Sequence, residues 1–387
     1  MKKKKLTFDF LFYYFVVISF LLPKGYAEYN STYHTITNLM TWGATFAIWL
    51  YYFISVSKKS KLIANNLSIF LYFIYIFIIT IVLRGFSING FQKLICYPSI
   101  FLFIIYTMDD NPRLLLNTFC NVLLVDFTLN LFFKRSFFAT QYHMTFLGHV
   151  QLISQLGLIA IFCSVLYFMY YRKSKLRTIA IIFLCVYTMF STDASTALIA
   201  IVILLFMYFC YRVRMYHFLK VDTKYYILFG LLISSLILFL SVRNNIVYNN
   251  VNRIFDFNGR SFVWVAALES IRLQPIFGYG IEGILLKVFW NNWVNQNGFN
   301  YAHNQLMQNM LDGGVVGLFL FWKMVNNCVK NINKIKEKKY KLLFNSVLIV
   351  FLIIMIVESV SLYCYFYMFL AFSFSFYKIE NEKNQEV

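Results

Sequence analysis

The side chains best suited to chemistry lie close together in the chain. Arg260 and His303 are 43 residues apart, in a segment that also holds Arg243, Arg253, Arg272 and Lys287. A guanidinium presents a planar fork of donors that matches phosphate oxygens, and each charge-assisted hydrogen bond is worth about 1.5–3 kcal/mol. An imidazole, with an ordinary pKa near 6.5, is mostly neutral at pH 7 and accepts a proton. A well-placed base contributes about 10²–10⁴ in rate. These are the two tools for moving a group from a phosphorylated carrier to a hydroxyl. One holds charge on the departing phosphate; the other takes a proton from the attacking oxygen. Each residue also has an ordinary reading. Outer arginines meet lipid headgroups or pair with Asp256 and Glu269, and a lone histidine caps a helix or sits at an interface.

The local frame is legible around them. Asn258-Gly259 makes a turn, Ser261 to Gln274 reads as a short amphipathic helix capped by Ser261, and Pro275 ends it. Phe262, Trp264, Val265, Ala266, Leu268 and Ile271 form an apolar surface suited to lying at a membrane interface. Glu269 and Arg272, spaced i,i+3, can pair along its side. Arg260 then stands just before the helix, where its guanidinium and the free backbone N–H groups can face one anion. Gly278-Tyr279-Gly280-Ile281-Glu282-Gly283 matches G-x-G-x-x-G, but the strand, helix and acidic residue of a dinucleotide site are not evident. Flexible backbone near a membrane surface is the better account of these glycines. Tyr301-Ala302-His303-Asn304 closes the stretch, ahead of Asp312-Gly313-Gly314-Val315-Val316-Gly317. Trp264, Tyr279, Trp290, Trp293 and Tyr301 offer aromatic faces on which sugars can stack.

The elements that must position these residues are membrane helices. Of 387 residues, 60% are hydrophobic and only 13% charged, about half the charged share of a soluble domain; the mean hydropathy is +0.65. A soluble enzyme, a disordered protein and a nucleic-acid binder are excluded. Taking about 20 apolar residues per crossing, the blocks 8–22, 36–56, 63–83, 91–108, 114–133 and 147–171 qualify. So do 176–191, 195–211, 225–242, 304–323, 342–358 and 360–377. The expectation is an all-α, polytopic helical bundle of about twelve spans, 1–387 forming a single integral membrane domain. The first block, after Met1-Lys2-Lys3-Lys4-Lys5, is expected to be a retained helix, not a cleaved signal. The net charge of +19 sits in short clusters between blocks, such as Lys58/Lys59/Lys61, Arg172/Lys173/Lys175/Arg177 and Lys330 to Lys341. By the positive-inside rule, both termini are then cytoplasmic. Residues 243–302 form the large extracytoplasmic loop between spans nine and ten, with a net charge of +2.

The ordered set Gly259-Arg260, Trp264, Pro275-Ile276-Phe277-Gly278-Tyr279-Gly280, His303-Asn304 and Gly314-Val315-Val316-Gly317 resembles the motif region of the O-antigen ligase and polysaccharide polymerase superfamily. The resemblance covers roughly 60 residues by motif and the whole chain by topology. It implies an inverting glycosyltransferase that needs no metal and no cofactor. Its implied substrate is an undecaprenyl-diphosphate-linked oligosaccharide, with membrane lipids, a chain-length regulator and a flippase as partners. By position, Arg260 matches the loop arginine that holds the diphosphate, and His303 the proposed base. Arg243, Arg253, Arg272, Asn304 and Asp312 are the substrate-binding candidates. One departure stands out. The superfamily commonly has a Ser-Arg pair entering the eighth span, where this chain reads Asp193-Ala194-Ser195-Thr196; Arg243 or Arg84 is the candidate replacement. The reading favours a polymerase of capsule or O-antigen over a ligase to lipid A core or protein. A lipid-linked oligosaccharide flippase and a non-catalytic scaffold are the rivals of other classes.

The remaining polar residues carry less. His143 and His149 flank an outer loop as secondary candidates, and His34 and His217 read as surface residues. Asp126 is expected to pair with a neighbouring amide or hydroxyl. Asp312 either orients His303, pairs with an arginine or packs beside the glycines. Glu358 is placed at a span end within reach of water. The seven cysteines show no metal-ligand spacing and read as small buried hydrophobes.

Overall fold

The computed structural model describes residues 2–54, 67–84, 88–133, 144–192, 195–213, 260–290, 293–299 and 301–383, with single positions between 225 and 240. Apart from the expected span 225–242, most of which lies outside the described residues, the apolar blocks become helices in the expected order: α1 (Lys2–Leu21), the short α2 (Lys24–Tyr29), α3 (Ser31–Ile54), α4 (Leu67–Arg84), α5 (Ile88–Asp110), α6 (Pro112–Phe132) and α7 (Val150–Tyr171). They continue with α8 (Lys175–Ser191), α9 (Ser195–Arg212), α10 (Arg260–Leu273), α11 (Gln305–Asn333), α12 (Lys338–Val357) and α13 (Cys364–Lys383). Their ends carry ordinary stop and start chemistry. Asn111 accepts from the Leu114 N–H and Pro112 opens α6, the N1 position that proline prefers. His149, a secondary candidate by sequence, stands at the N-cap of α7.

Among the described residues, four helices are long and apolar enough to cross a membrane: Gly90–Asp110, Pro112–Phe132, Gln151–Tyr171 and Lys338–Val357. Phe8–Leu21, Leu67–Leu83 and Thr196–Cys210 are apolar but shorter. The twelve-span count exceeds this partly because α3 and α11 each carry a run of polar side chains at helical spacing, which lowers their hydropathy. The centre of the bundle is α13. Cys364 through Phe376 are buried without a break, as expected of a helix that is apolar all round, and α5, α7 and α11 pack around it.

The segment ahead of α11 departs from a plain loop. Leu286–Trp290 and Trp293–Phe299 form an antiparallel pair, β1 and β2, with Trp290 opposite Trp293 and Leu286 opposite Phe299. A small second core joins α10, β1 and α11 through Val263, Trp264, Ala267, Leu286, Ala302, Met307 and Leu311. The amphipathic helix therefore packs its most buried face on protein. Ser261, expected as a cap, is instead a buried residue of the first turn, because the helix begins at Arg260.

The glycines of the G-x-G-x-x-G stretch are also corrected. α11 is broken at Gly314, whose φ of 61° lies in the left-handed region. The break frees backbone carbonyls, and the incoming loop satisfies them: Tyr279 N donates to Leu311 O at 2.6 Å and Gly280 N to Asp312 O at 3.0 Å. In return Val315 N donates to Pro275 O at 2.9 Å. A Cβ on Gly278 would lie 2.5 Å from Leu311 O, and one on Gly314 2.1 Å from Ile276 O. These residues are small because two backbones touch there, not because the chain must flex.

Candidate active site

One carboxylate organises the site. Glu358 follows α12, where the chain breaks before the short 3₁₀ turn Val360–Leu362 and then enters α13. Its Oε1 accepts from Arg260 Nη2 at 2.5 Å, and its Oε2 lies 3.4 Å from His303 Nδ1. Glu358 is only 2% exposed, which corrects the expectation of a water-accessible span end. The structure thus brings Arg260 and His303 to opposite oxygens of the same group.

Gln151 in α7 also reaches His303 Nδ1, at 3.4 Å. A single nitrogen cannot donate to the carboxylate and accept from the amide. The charge on Glu358 favours donation to it, and the Gln151 amide, whose two ends interchange by a half-turn, then turns its oxygen to the ring. In that tautomer His303 Nε2 carries the lone pair. Tyr301 lies against the imidazole, ring centroids 4.2 Å apart, with Phe299 at 5.9 Å. Burial, reinforced by the charge of Glu358, pushes the Tyr301 phenol up to about 12, so it stays protonated and serves as a wall.

His303 has a φ of 50°, a left-handed conformation that histidine adopts more readily than most residues. Its neighbours hold it there. Ala302 O accepts from Trp264 Nε1 at 3.0 Å and Ala302 N donates to Gln308 Oε1 at 2.9 Å. Asn304 caps α11 by accepting from Leu306 N and Met307 N, while its Nδ2 donates to Ile356 O at 2.7 Å. Ser361 N donates to Gln305 Oε1 at 2.9 Å. The backbone ahead of α11 and the strand of chain carrying Glu358 are therefore fastened side by side, and strain persists where surroundings over-determine it.

The sequence candidates fall into three groups. Arg260 and His303 converge. Asn304 and Asp312 support them from behind. Asn304 is fully buried in its cap, so it has no face for substrate. Asp312 accepts from Gln308 Nε2 at 2.9 Å and so anchors the residue that holds Ala302. Arg272 stands apart: it is exposed and twelve residues along α10, about 18 Å from Arg260 at 1.5 Å per residue. Arg243 and Arg253, with His143 and His217, lie outside the described residues. Asp126 is buried in α6, and its Oδ2 has no hydrogen-bond partner. No group of His, Cys, Asp or Glu side chains able to hold a metal occurs among the described residues.

Residues 179–322 match the family model described as O-Antigen ligase. This segment is similar to the O-antigen ligase family. A protein of Rickettsia felis named as a polysaccharide ligase is 34% identical over 89 residues, 21% of this chain and 22% of that protein. Like-named proteins of Rickettsia conorii and Rickettsia typhi are each 29% identical over the same length. The chain thus aligns with about a fifth of the length of the curated relatives it matches.

The matched segment includes Arg260 and His303 but ends before Glu358. Asp193-Ala194, the departure from the superfamily pattern, lies inside it and outside the described residues. Glu358, Gln151 and Gln308 are the site residues that sequence reasoning missed. A signal for one of them was present: Gln305, Gln308, Asn309 and Asp312 recur at i, i+3, i+4 and i+7 in α11, and all four are buried. A polar stripe with that period marks a helix face that meets polar partners. Nothing in the chain order pointed from this stripe to Glu358.

Proposed function

We propose that this protein is a membrane glycosyltransferase that moves a glycan from an undecaprenyl-diphosphate carrier to an acceptor hydroxyl. The observation that carries the reading is the convergence of a guanidinium and an imidazole on the buried carboxylate of Glu358. In this reading Arg260 binds the diphosphate. His303 Nε2 takes the acceptor proton as the acceptor oxygen bonds to the anomeric carbon. The bond from that carbon to the diphosphate oxygen breaks, and its electron pair leaves on the diphosphate. Glu358 stabilises the imidazolium that forms, the part an orienting carboxylate plays beside a histidine base. Inversion without a metal is what the superfamily resemblance implies.

Two acceptors suit this chemistry. A lipid-linked repeat unit makes the protein a polymerase. A finished lipid or protein acceptor makes it a ligase, and the names of the Rickettsia proteins favour that at least as strongly. Purified protein supplied with a lipid-linked repeat unit tests the reaction and the acceptor together. A ladder of products marks a polymerase, and transfer only to a separate acceptor marks a ligase. Undiminished transfer by both Arg260→Ala and His303→Ala refutes the reading.

A further inference from the structure

A cleft with an open mouth lies between α1, α2, the first half of α3, α5 and the start of α13. Its α3 wall is a polar stripe: His34, Thr37, Asn38 and Thr41 recur at i, i+3, i+4 and i+7. The first half of α3 is polar, and these four side chains give the cleft imidazole, hydroxyl and amide groups. Across from them stand Gln92 and Lys93 of α5, and Gln92 Nε2 donates to Asn38 Oδ1 at 3.3 Å. The Thr37 and Thr41 hydroxyls donate to the helix carbonyls of His34 and Thr37 at 2.8 Å, which leaves their oxygens as acceptors for the cleft.

Charge in the cleft is balanced. Lys93 pairs with Glu282, and Lys24 and His34 act on Glu28, which lines the same space. Amides, hydroxyls and compensated charges over an apolar floor that includes Phe20 and Tyr97 fit a ligand with many hydroxyls and no net charge. The cleft is tied to the chain segment that follows Glu358. Tyr97 donates to Leu362 O at 2.6 Å, four residues beyond Glu358. Glu28 acts electrostatically on Tyr301, the ring that lies against His303.

We propose that this cleft is a sugar subsite, holding an uncharged saccharide unit of the acceptor beside His303 through Asn38, Gln92 and the α3 hydroxyls. The proposal rests on the transferase reading for the word acceptor, but the subsite itself is measured by binding alone.

The test uses the full chain in lipid nanodiscs and two probes. One is the phosphate-free oligosaccharide released by mild acid from the source cell's lipid-linked repeat unit; the other is inorganic diphosphate. Asn38→Leu and Gln92→Leu are each expected to weaken oligosaccharide binding roughly fivefold, the worth of a neutral hydrogen bond of about 1 kcal/mol. Diphosphate affinity and thermal midpoint should be unchanged, the second showing that the variants fold. Equal oligosaccharide binding by wild type and both variants overturns the subsite, as does no binding by wild type. Loss of diphosphate affinity in place of sugar affinity overturns it too, marking the cleft as a phosphate site. Glycan transfer by wild type with unaltered variant binding sinks the subsite alone. Weakened variant binding without any transfer by wild type sinks the transferase reading and leaves a glycan site standing.

Discussion

Replacing Glu358 by glutamine has opposite effects on two measurements, and that opposition is the sharpest test of the site. In the structure the carboxylate occupies Arg260 through a 2.5 Å contact, with side-chain exposures of 21% for Arg260 and 3% for Glu358. A diphosphate must compete with Glu358 for the guanidinium. Removing the carboxylate charge lifts that competition, and a charge-assisted bond worth about 1.5–3 kcal/mol corresponds to roughly 10–150-fold. Partial exposure of Arg260 screens the contact, so the low end is expected: inorganic diphosphate should bind Glu358→Gln about tenfold tighter than wild type. Turnover should fall at the same time. Without the anion, only the neutral Gln151 amide is left to hold the Nδ1–H tautomer of His303 and no charge stabilises the imidazolium; changing an orienting carboxylate to its amide costs up to about 10⁴ in rate in a well-studied triad. The looser 3.4 Å contact here argues for about 10²–10³. Calorimetric titration of diphosphate and single-turnover transfer measure the two arms. Weaker diphosphate binding together with unaltered turnover would refute the assignment of Glu358 as the residue that holds both partners.

Three further outcomes follow from the same geometry. Gly314→Ala should lower the thermal midpoint and the yield of folded protein, since its Cβ meets Ile276 O at 2.1 Å and backbone at φ 61°, ψ −158° costs a non-glycine residue about 1–3 kcal/mol. Gly317→Ala, whose Cβ approaches nothing nearer than 3.4 Å, should be tolerated, and a thermal-shift comparison of the pair checks both. Gln308→Leu leaves the buried Ala302 N–H and Asp312 carboxyl short of a partner, each costing about 1–3 kcal/mol. It should reduce the transfer rate more than donor affinity, read as a split between kcat and KM. Arg272→Ala should change transfer less than twofold, because Arg272 is exposed and about 18 Å along α10 from Arg260; a large loss in a kinetic assay would contradict its placement outside the site.

The helices were legible in the order of residues because the hydrophobic effect and the need to pair every backbone group act locally and repeat along the chain. Arg260 and His303 could be singled out for a similar reason: residue type limits chemistry, and few polar side chains stand between apolar blocks here. The sequence also marked α10 closely, through Asn258-Gly259 before it and Pro275 after it. What it could not supply was the meaning of small or polar residues whose partners lie far along the chain. Gly278 looks like a flexible link until the loop is seen seated in the break of α11. Asn304 looks like a ligand-binding amide until its cap and its bond to Ile356 O are seen. Glu358 looks like a wet helix end until Arg260, 98 residues away, closes over it. A contact of that sequence separation depends on how helices pack. Packing is decided by the summed fit of many side chains at once, which no local pattern records.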